Sequence, residues 1–376
     1  MRTKMNDALR TILALAAAQL AQSADFRAVD CDMGEKIAEA LASMRAGETL
    51  LVTGRCRERV VITTDRITLR GIDNAIIDGS GAGPPTELAG QVTIDGARGV
   101  TVSGLTVQGS RGEGILGIRG ASYTVDNVIA QDNAREGIAT GGNSTAEISD
   151  CTLRGNAIGL DAYTNSSVIL KGTIRITNSR GNGVEVAGTS TLEIRGANVE
   201  VSGSGGFGLF AAANGNVIFF GFGASRGSSL AVDSNGAGGI FLADAQFGIA
   251  AMEARVTVSN NPVGIFMPGP GVLANPEGIQ TGATLVIEKN GVGVRAGVGA
   301  QVLMVGGLTV RENSTAGIIA EGAELTLVSA PPNPSVISGN GMDLDLRFGS
   351  RVTVGGASIG TRRCEPNVLV RGTGCP

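Results

Sequence analysis

The chain has no histidine among its 376 residues. This absence excludes a Ser-His-Asp triad, a Cys-His pair, a histidine-ligated zinc site and a histidine proton shuttle. Tryptophan is also absent, and Tyr123 and Tyr163 are the only tyrosines. Because sugar-processing enzymes usually stack sugar rings on Trp or Tyr, this scarcity weakens a glycosidase function without excluding it.

Charged residues make up only 17% of the chain, and the formal net charge is −4. Three basic residues in the first ten positions precede an apolar run from Ile12 to Ala21, and Ala21-Gln22-Ser23 supplies the small residues typical of a cleavage site. Residues 1–23 are therefore predicted to be a signal peptide, with an amphipathic N-terminal helix as the alternative. The expected location is secreted or periplasmic.

Removal of this segment takes away three positive charges and one negative charge, which leaves a net charge of about −6. An acidic protein of this kind is a poor candidate for binding nucleic acid or an anionic membrane. No later run of 18 or more apolar residues occurs, so no membrane span is predicted.

Five cysteines are present, and four of them bracket the two ends of the chain. We predict the disulfides Cys31–Cys56 and Cys364–Cys375, formed in an oxidising compartment. The remaining Cys151 has apolar neighbours and is predicted to be a small buried hydrophobe.

Glycine is abundant instead, at 59 residues, roughly twice the usual share. A glycine followed by an aliphatic residue recurs every 22 to 31 residues, with the glycines at Gly114, Gly137, Gly159, Gly183, Gly208, Gly239, Gly264, Gly293, Gly317 and Gly341. A second, alternating strand such as Leu192-Glu193-Ile194-Arg195 follows in each repeat. This period is typical of one coil of a parallel β-helix.

The sequence thus predicts an all-β fold: a single right-handed parallel β-helix of about ten coils with an N-terminal capping helix. Residues 24–60 are predicted to form the capping segment, residues 61–355 the β-helix, and residues 356–376 a C-terminal cap closed by a disulfide. The helix is expected over Met33–Arg45 with Asp32 as its N-cap, and with Ile37, Leu41 and Met44 on one face.

Asparagines precede the repeat glycine in several coils, at Asn133, Asn156, Asn235, Asn260, Asn290 and Asn313. We interpret them as a ladder of stacked amides, with calcium ligation as the alternative. The Gly-Gly-x-Gly-x-Asp signature of calcium-binding repeats does not occur, so no cofactor or metal is predicted and Ca²⁺ stays unsupported.

Val52-Thr53-Gly54-Arg55-Cys56, Val60-Val61-Ile62 and Ile67-Thr68-Leu69 look like the opening turns of a known group. Over roughly residues 30–370 the chain resembles the right-handed parallel β-helix (pectate-lyase-like) superfamily, as a secreted bacterial β-helix-repeat protein. The resemblance implies the fold and leaves the activity open, because members include lyases, hydrolases, epimerases and adhesins. The sequence contains neither the Gly-His-Gly motif and Asp-Asp pair of polygalacturonases nor the Asp-Pro-His-Asp motif of mannuronan epimerases. It also shows no cluster of three carboxylates such as calcium-dependent pectate lyases use.

Counting each coil from its repeat glycine places candidate surface residues in one column. The residue after the glycine is aliphatic throughout and is predicted to face the core, so the next residue must point outward. This outward column reads Leu116, Ala139, Asp161, Glu185, Phe210, Phe241, Phe266, Arg295, Ile319 and Asp343.

Asp161, Glu185 and nearby Tyr163 are the candidate catalytic residues. Carboxylates on neighbouring coils lie about 5 Å apart, which raises the pKa of one of them, and Tyr163 would serve as a base if its pKa were lowered. Because neighbouring coils impose this spacing on any equivalent pair, ordinary solvated charges are the alternative.

Phe210, Phe241, Phe266 and Arg295 are the candidate ligand-binding residues. The three rings would bind a sugar face or a partner protein. Alternatively, an enlarged loop at Phe219–Phe222 covers the rings and makes a second small core.

Three functions remain open from the sequence. The first is a non-catalytic secreted protein that binds extracellular polysaccharide or a surface partner along its outer face. The second is a polysaccharide lyase or epimerase with a base other than histidine, and the third is a structural cell-envelope protein.

Overall fold

The structure is a computed structural model that describes residues 26–80, 90–219 and 227–372. Its strands form parallel sheets in which each strand pairs with its equivalents one coil earlier and one coil later. The predicted right-handed parallel β-helix is confirmed. In the described part of the chain, no helix is both long enough and apolar enough to cross a membrane.

Each complete coil contributes one strand to each of three sheets, here named A, B and C in their order within a coil counted from the repeat glycine. Sheet A has thirteen strands among the described residues: Val60–Ile62, Val92–Asp95, Ile115–Ile118, Glu136–Thr140, Ile158–Ala162, Val184–Val186, Phe207–Ala212, Gly238–Ala243, Val263–Met267, Val292–Ala296, Ala316–Glu321, Leu344–Arg347 and Arg362–Cys364. This sheet carries the repeat Gly-aliphatic step.

Sheets B and C are joined by two long strands that bend from one sheet into the other, Ser167–Thr177 and Thr191–Ser202. The other strands of sheet B are Phe26–Asp30, Thr49–Thr53, Thr68–Gly71, Arg98–Ser103, Ser122–Asp126, Thr145–Ser149, Asn216–Phe219, Gln246–Ile249, Gly271–Asn275, Ala300–Val305, Glu324–Val328, Arg351–Gly355 and Leu369–Gly372. Those of sheet C are Arg55–Cys56, Ile76–Asp78, Thr106–Gln108, Ile129–Gln131, Thr152–Arg154, Ser229–Asp233, Arg255–Ser259, Thr284–Glu288, Leu308–Arg311, Val336–Ile337 and Ser358–Ile359.

One apolar core fills the lumen from Val29 near the first strand to Ile359 near the last. The residue after the repeat glycine lies in this core in nine coils, each at most 1% exposed: Ile115, Ile138, Leu160, Val184, Leu209, Ile240, Ile265, Val294 and Ile318. The predicted inward column is confirmed for these coils.

The last coil corrects the prediction. Leu344 pairs with Ile318 and enters the core, whereas Met342 is only half-buried. The Gly341-Met342 step is therefore two residues out of register, because Asp343 takes the position of the repeat glycine. The outward residue of this coil is Asp345, not Asp343.

Single residues with positive φ turn the chain between sheets B and C. Asn127 and Asp150 adopt φ values of 51°, and Gly104 adopts 66° at the equivalent corner. Asn, Asp and Gly tolerate this left-handed conformation better than other residues do. The abundance of these residue types therefore follows from the number of sharp corners.

The asparagine ladder exists, with one residue corrected. Asn261, not Asn260, is its buried member: the Asn261 side-chain amide donates to Asn290 Oδ1 at 3.2 Å and accepts from the Asn235 backbone N–H at 2.9 Å. Asn260 instead is exposed with a φ of 57°. The ladder also extends one coil further, because Asn313 Nδ2 donates to Asn340 Oδ1 at 2.8 Å.

The repeat glycines are required by this ladder. A Cβ added to Gly264 would lie 2.5 Å from the Gly293 carbonyl oxygen and 3.0 Å from Asn290 Nδ2. A Cβ added to Gly317 would lie 2.8 Å from Asn340 Nδ2 in the same way. The asparagine and the glycine of the repeat therefore occur together, because the buried Asn amide of one coil fills the space beside the glycine of the preceding coil.

The N-terminal helix is shorter than predicted. It spans Ile37–Ala42 and is preceded by a 3₁₀ turn at Cys31–Met33. Glu58 provides the cap, accepting from the backbone N–H groups of Ile37 at 2.9 Å and Ala38 at 3.0 Å. Asp32 accepts from the Arg55 backbone N–H instead, so its assignment as the N-cap was wrong. Ile37 and Met44 are buried as expected, and Leu41 packs against the core.

Both ends of the coil stack extend beyond the predicted limits of 61 and 355. Thr49–Thr53 already pairs with Thr68–Gly71, and Leu369–Gly372 pairs with Arg351–Gly355. The disulfide Cys31–Cys56 is confirmed. The signal-peptide prediction at 1–23 and Cys375 lie outside the described residues, so the Cys364–Cys375 bond stays a prediction. Cys151 is buried with 1% of its surface exposed, as predicted.

The packing at the repeat glycines predicts a position-specific loss of stability. Gly264→Ala should lower the free energy of unfolding by about 2 kcal/mol, because the new methyl group overpacks the ladder. Gly269→Ala is the matched control, since nothing lies within 4 Å of a Cβ added there. Urea denaturation followed by circular dichroism measures both variants, and equal losses for the two would contradict the packing argument.

Candidate ligand-binding face

The predicted outward column lies along sheet A, and its register is confirmed from Leu116 to Ile319. Asp161 pairs with Glu185, and the pairing continues through Phe210, Phe241 and Phe266. Neighbouring members are therefore one coil apart, about 4.8 Å. The sheet thus presents a straight row of side chains on its outer surface.

The column begins with two residues that point outward but are shielded from solvent. Leu116 and Ala139 are 0% and 1% exposed. Together with Ile118 they form a small cluster separate from the lumen core, and the ring of Tyr163 packs against it. Tyr163 is thereby held at the outer surface of the sheet, beside the candidate carboxylates.

The aromatic part of the column is a cluster of four half-buried rings, here named the Phe patch: Phe207, Phe210, Phe241 and Phe266. The rings of Phe210 and Phe241 stack with centroids 4.6 Å apart and an interplanar angle of 6°. The ring centroid of Phe207 lies 5.1 Å from that of Phe241 and 6.5 Å from that of Phe266, and the centroids of Phe241 and Phe266 are 5.8 Å apart.

Phe207 was missed by the sequence reading because it precedes the repeat glycine and so falls outside the column considered. Of the alternative covering loop at Phe219–Phe222, the structure describes only the first residue. Phe219 is fully buried in the lumen, 6.0 Å from Phe247, and does not reach the patch. The rest of that segment, 220–222, lies outside the described residues.

Beside the Phe patch lies a cluster of four carboxylates, here named the acidic pocket: Glu113, Glu136, Asp161 and Glu185. Glu113 and Glu136 are 3% and 7% exposed. They precede Gly114 and Gly137, at the same position that Phe207 occupies before Gly208. The recurrence of Glu there in two consecutive coils was the signal that could have revealed them.

One cation balances part of the negative charge. Arg135 Nη1 lies 2.9 Å from Glu113 Oε1, and Arg135 Nε lies 3.5 Å from Glu136 Oε2. Glu185 is held differently, since Asn182 Nδ2 donates to Glu185 Oε1 at 2.7 Å. The other end of the same side chain, Asn182 Oδ1, accepts from the Phe207 backbone N–H at 2.7 Å and so ties the acidic pocket to the Phe patch.

The electrostatics favour a proton on Asp161. Burial raises the pKa of Asp161 to about 8, and the charges of Glu185 and Glu136 act in the same direction. Burial likewise raises the pKa of Glu136. The Asp161 carboxyl group is therefore protonated near neutral pH, and other ionisable carboxyl groups lie beside it.

Tyr163 does not meet the condition set for a base. Burial raises the pKa of Tyr163 to about 12, and the charges of Glu113 and Asp161 raise it further. The condition of a lowered pKa is not met, because burial and the charges of the nearby carboxylates outweigh the opposing charge of Arg135. Tyr163 is thus neutral and able to donate a hydrogen bond.

A network of charges follows the Phe patch at the C-terminal end of sheet A. Arg295, whose side chain is 51% exposed, pairs with Glu321 at 3.1 Å. Arg347 bridges Glu321 at 3.4 Å and Asp345, and Arg363 also pairs with Asp345. The face therefore changes from acidic to aromatic to a mixed end rich in arginine.

Metal binding has no geometric support in this part of the molecule. Among the described residues, no group of three or more His, Cys, Asp or Glu side chains is arranged to hold a metal ion.

Residues 90–315 match the family described as the right handed beta helix region, and the chain belongs to that family. No curated protein matches the sequence.

Among solved structures, the chain is similar to the A-module of a mannuronan C-5 epimerase from Azotobacter vinelandii, with 13% identity, a TM-score of 0.46, and coverage of 90% of this chain and 94% of that chain. It is also similar to an alginate lyase from a Paenibacillus species, with 11% identity, a TM-score of 0.34, and coverage of 92% and 98%. A third is the surface adhesin PfbA of Streptococcus pneumoniae, with 12% identity, a TM-score of 0.33, and coverage of 85% and 88%. Similarity at this level does not extend to chemistry.

The raised pKa of Asp161 predicts a pH-dependent stability. A group whose pKa is higher in the folded state than in the unfolded state stabilises the fold at low pH and loses that contribution as pH rises through the folded value. Here the loss falls between about pH 4 and about pH 8. Asp161→Asn removes this pH-dependent contribution. The free energy of unfolding of the variant, relative to that of the native chain, should therefore increase by roughly 2 kcal/mol from pH 4 to pH 9, after allowance for solvent screening.

Urea midpoints at several pH values test this expectation. Glu200→Gln is the control, because Glu200 is 53% exposed in a surface ion pair with Arg175. Its difference from the native chain should stay constant over the same range. A constant difference for Asp161→Asn as well would show that this carboxyl group titrates normally.

Proposed function

We propose that this protein is secreted or periplasmic and binds an extracellular polysaccharide, without transforming it, along the outer surface of sheet A. The observation that carries the proposal is the unbroken row from the acidic pocket through the Phe patch to Arg295. The disulfide Cys31–Cys56 supports an oxidising compartment.

The row suits a long polymer because its geometry is fixed before binding. From Asp161 to Arg295 the side chains follow consecutive paired strands, a distance of about 24 Å. The backbone beneath them is hydrogen-bonded to both neighbouring coils, so little conformational entropy is lost on binding. A chain of several sugar rings can therefore lie along the face.

The chemistry of the row also suits sugars. The Phe patch offers apolar ring surface against which the C–H face of a sugar packs. Carboxylates of the acidic pocket accept hydrogen bonds from hydroxyl groups, and the Arg295 guanidinium donates them. Sheet A thus offers an apolar surface for the C–H face of a sugar, and hydrogen-bond acceptors and a donor for its hydroxyl groups.

A polysaccharide lyase or epimerase is the second candidate, and one observation favours it. Asp161 holds a proton near neutral pH beside Glu185, which is the pairing of acid and base that such reactions use. In this function Asp161 is the proton donor, Glu185 the base, and neutral Tyr163 a hydrogen-bond donor to the substrate.

Phe241 is the best residue for testing the binding function, because its ring contacts the other three rings of the patch. Phe241→Ala should weaken binding to the polysaccharide selected from a glycan panel by about tenfold, through the loss of ring contact. Isothermal titration calorimetry measures the affinity.

Ile218→Ala is the matched control, since Ile218 is a half-buried outward residue on sheet B. It should leave the affinity unchanged. Equal losses for the two variants would place the binding surface elsewhere. Release of unsaturated, ultraviolet-absorbing sugar ends from the bound polysaccharide, abolished by Glu185→Gln, would favour the enzymatic candidate over pure binding.

A further inference from the structure

The Phe patch leaves apolar surface on the outside of the protein, and this surface is wider than the four rings. A Cβ added to Gly238 would lie 2.6 Å from Phe207 Cε1 and 2.8 Å from Val263 Cγ1. The side chains of Phe207 and Val263 therefore meet above Gly238, and Val263 is half-buried like the rings. Contiguous apolar side chains on an outer surface are typical of a contact with another molecule.

The charges on sheet A change sign about Phe241, which is the middle of the patch. Counted by strand pairing, Glu185 lies two coils before Phe241, and Arg295 lies two coils after it. Farther out, Glu136 lies four coils before Phe241, and Arg347 lies four coils after it. Carboxylates and guanidinium groups thus stand at equal distances on opposite sides of the rings.

We infer that the outer surface of sheet A binds the same surface of a second copy of this chain, in a two-fold dimer whose axis passes through the coil of Phe241. A two-fold axis along the strands brings the two outer faces together and reverses the order of the coils. A residue before Phe241 in one copy therefore meets the residue equally far after Phe241 in the other.

This arrangement matches the side chains in pairs. Phe241 meets Phe241 of the second copy, and Phe210 meets Phe266 of the second copy. Glu185 meets Arg295 of the second copy, and the symmetry forms this charged contact twice. Rings therefore lie at the centre of the interface and opposite charges flank them, which is the usual anatomy of a specific interface.

Other ways of joining two copies fit the charges less well. If the coil stacks ran parallel, Glu185 would face Glu185 and Arg295 would face Arg295, and both pairs repel. If the antiparallel copies were shifted by one coil, Glu185 would face Phe266 or Ile319. Its charge would then lose contact with water without gaining a partner. The charge pattern therefore favours one orientation and one register.

The available face is large enough for a stable dimer. The outward column from Leu116 to Arg363 is about 48 Å long, and strands of about five residues make sheet A about 16 Å wide. Two such faces in contact would bury roughly 1,500 Å² in total, which is the usual size of a stable protein interface.

The dimer goes beyond the proposed function and is linked to it. The same face cannot hold a polysaccharide and a second copy at once. A polysaccharide that binds along sheet A therefore dissociates the dimer by mass action. The second copy in turn covers the Phe patch while no polysaccharide is bound.

Sedimentation equilibrium of the purified protein measures the association. The native chain should be dimeric at about 100 µM and should dissociate on dilution. Arg295→Glu and Glu185→Arg should each weaken the dimer at least about tenfold, because each sets like charges together at both contacts. The double variant that combines them should restore the dimer. Glu200→Arg, a charge reversal at an exposed ion pair of sheet C, should leave the association unchanged.

Cross-linking tests the position of the axis without removing a charge or a ring. Ala243 is a half-buried outward residue of the same strand as Phe241, so the axis brings it near Ala243 of the second copy. A short bis-maleimide should join Ala243→Cys into covalent dimers. Ala231→Cys is the matched control, since Ala231 is an exposed outward residue on sheet C, and it should stay monomeric under denaturing conditions.

A native chain that stays monomeric at about 100 µM, with no cross-linking of Ala243→Cys, would overturn the inference and leave polysaccharide binding standing. A double variant that fails to restore the dimer, or equal cross-linking of Ala231→Cys and Ala243→Cys, would overturn the proposed orientation of the copies. A polysaccharide that binds while the dimer stays intact would instead remove the proposed binding surface from sheet A.

Discussion

Parallel backbone pairing between successive coils is the constraint on which this structure depends. Every strand of sheet A inside the stack hydrogen-bonds to the equivalent strand before and after it. A side chain therefore has as its nearest neighbours the residues at the same position one coil away. The inner columns must be aliphatic because they share one lumen, and the outer columns bring like residues together whether or not they attract. Both the core and the candidate binding face follow from this single rule.

The asparagine ladder shows the rule acting on polar groups inside the protein. A buried amide has hydrogen-bonding groups that water cannot reach, and an amide one coil away satisfies them. Asn290, for instance, donates to Asn313 Oδ1 at 3.0 Å and to the Glu288 carbonyl at 3.0 Å. The glycine beside it in the preceding coil leaves the space that the amide fills. The regular spacing of Asn and Gly in the sequence thus results from a packing contact between neighbouring coils.

The coils and the outward column could be predicted from the sequence, because residues that pair between coils recur at a regular spacing. The prediction was wrong where two nearby residues could each occupy the same position of the repeat. Asn340-Gly341 resembles the repeat, but Asp343 occupies the glycine position, and only the pairing of Leu344 with Ile318 reveals the shift. The choice between Asn260 and Asn261 likewise depends on which of two adjacent amides turns inward. Glu113, Glu136 and Phe207 were missed because they stand before the glycine, on a part of the strand where the repeat has no fixed residue type.

The acidic pocket destabilises the folded state, because strand pairing between coils places its carboxyl groups next to one another. Thr93 and Ala139 occupy the same outward column in nearby coils without adding charge, so the fold does not require carboxylates at Asp161 and Glu185. Like charges one coil apart destabilise the folded state, and burial adds to the penalty. Asn182, by contrast, fixes Glu185 in place rather than neutralising it. A stack that keeps these carboxylates beside half-buried aromatic rings therefore gives up stability at that position.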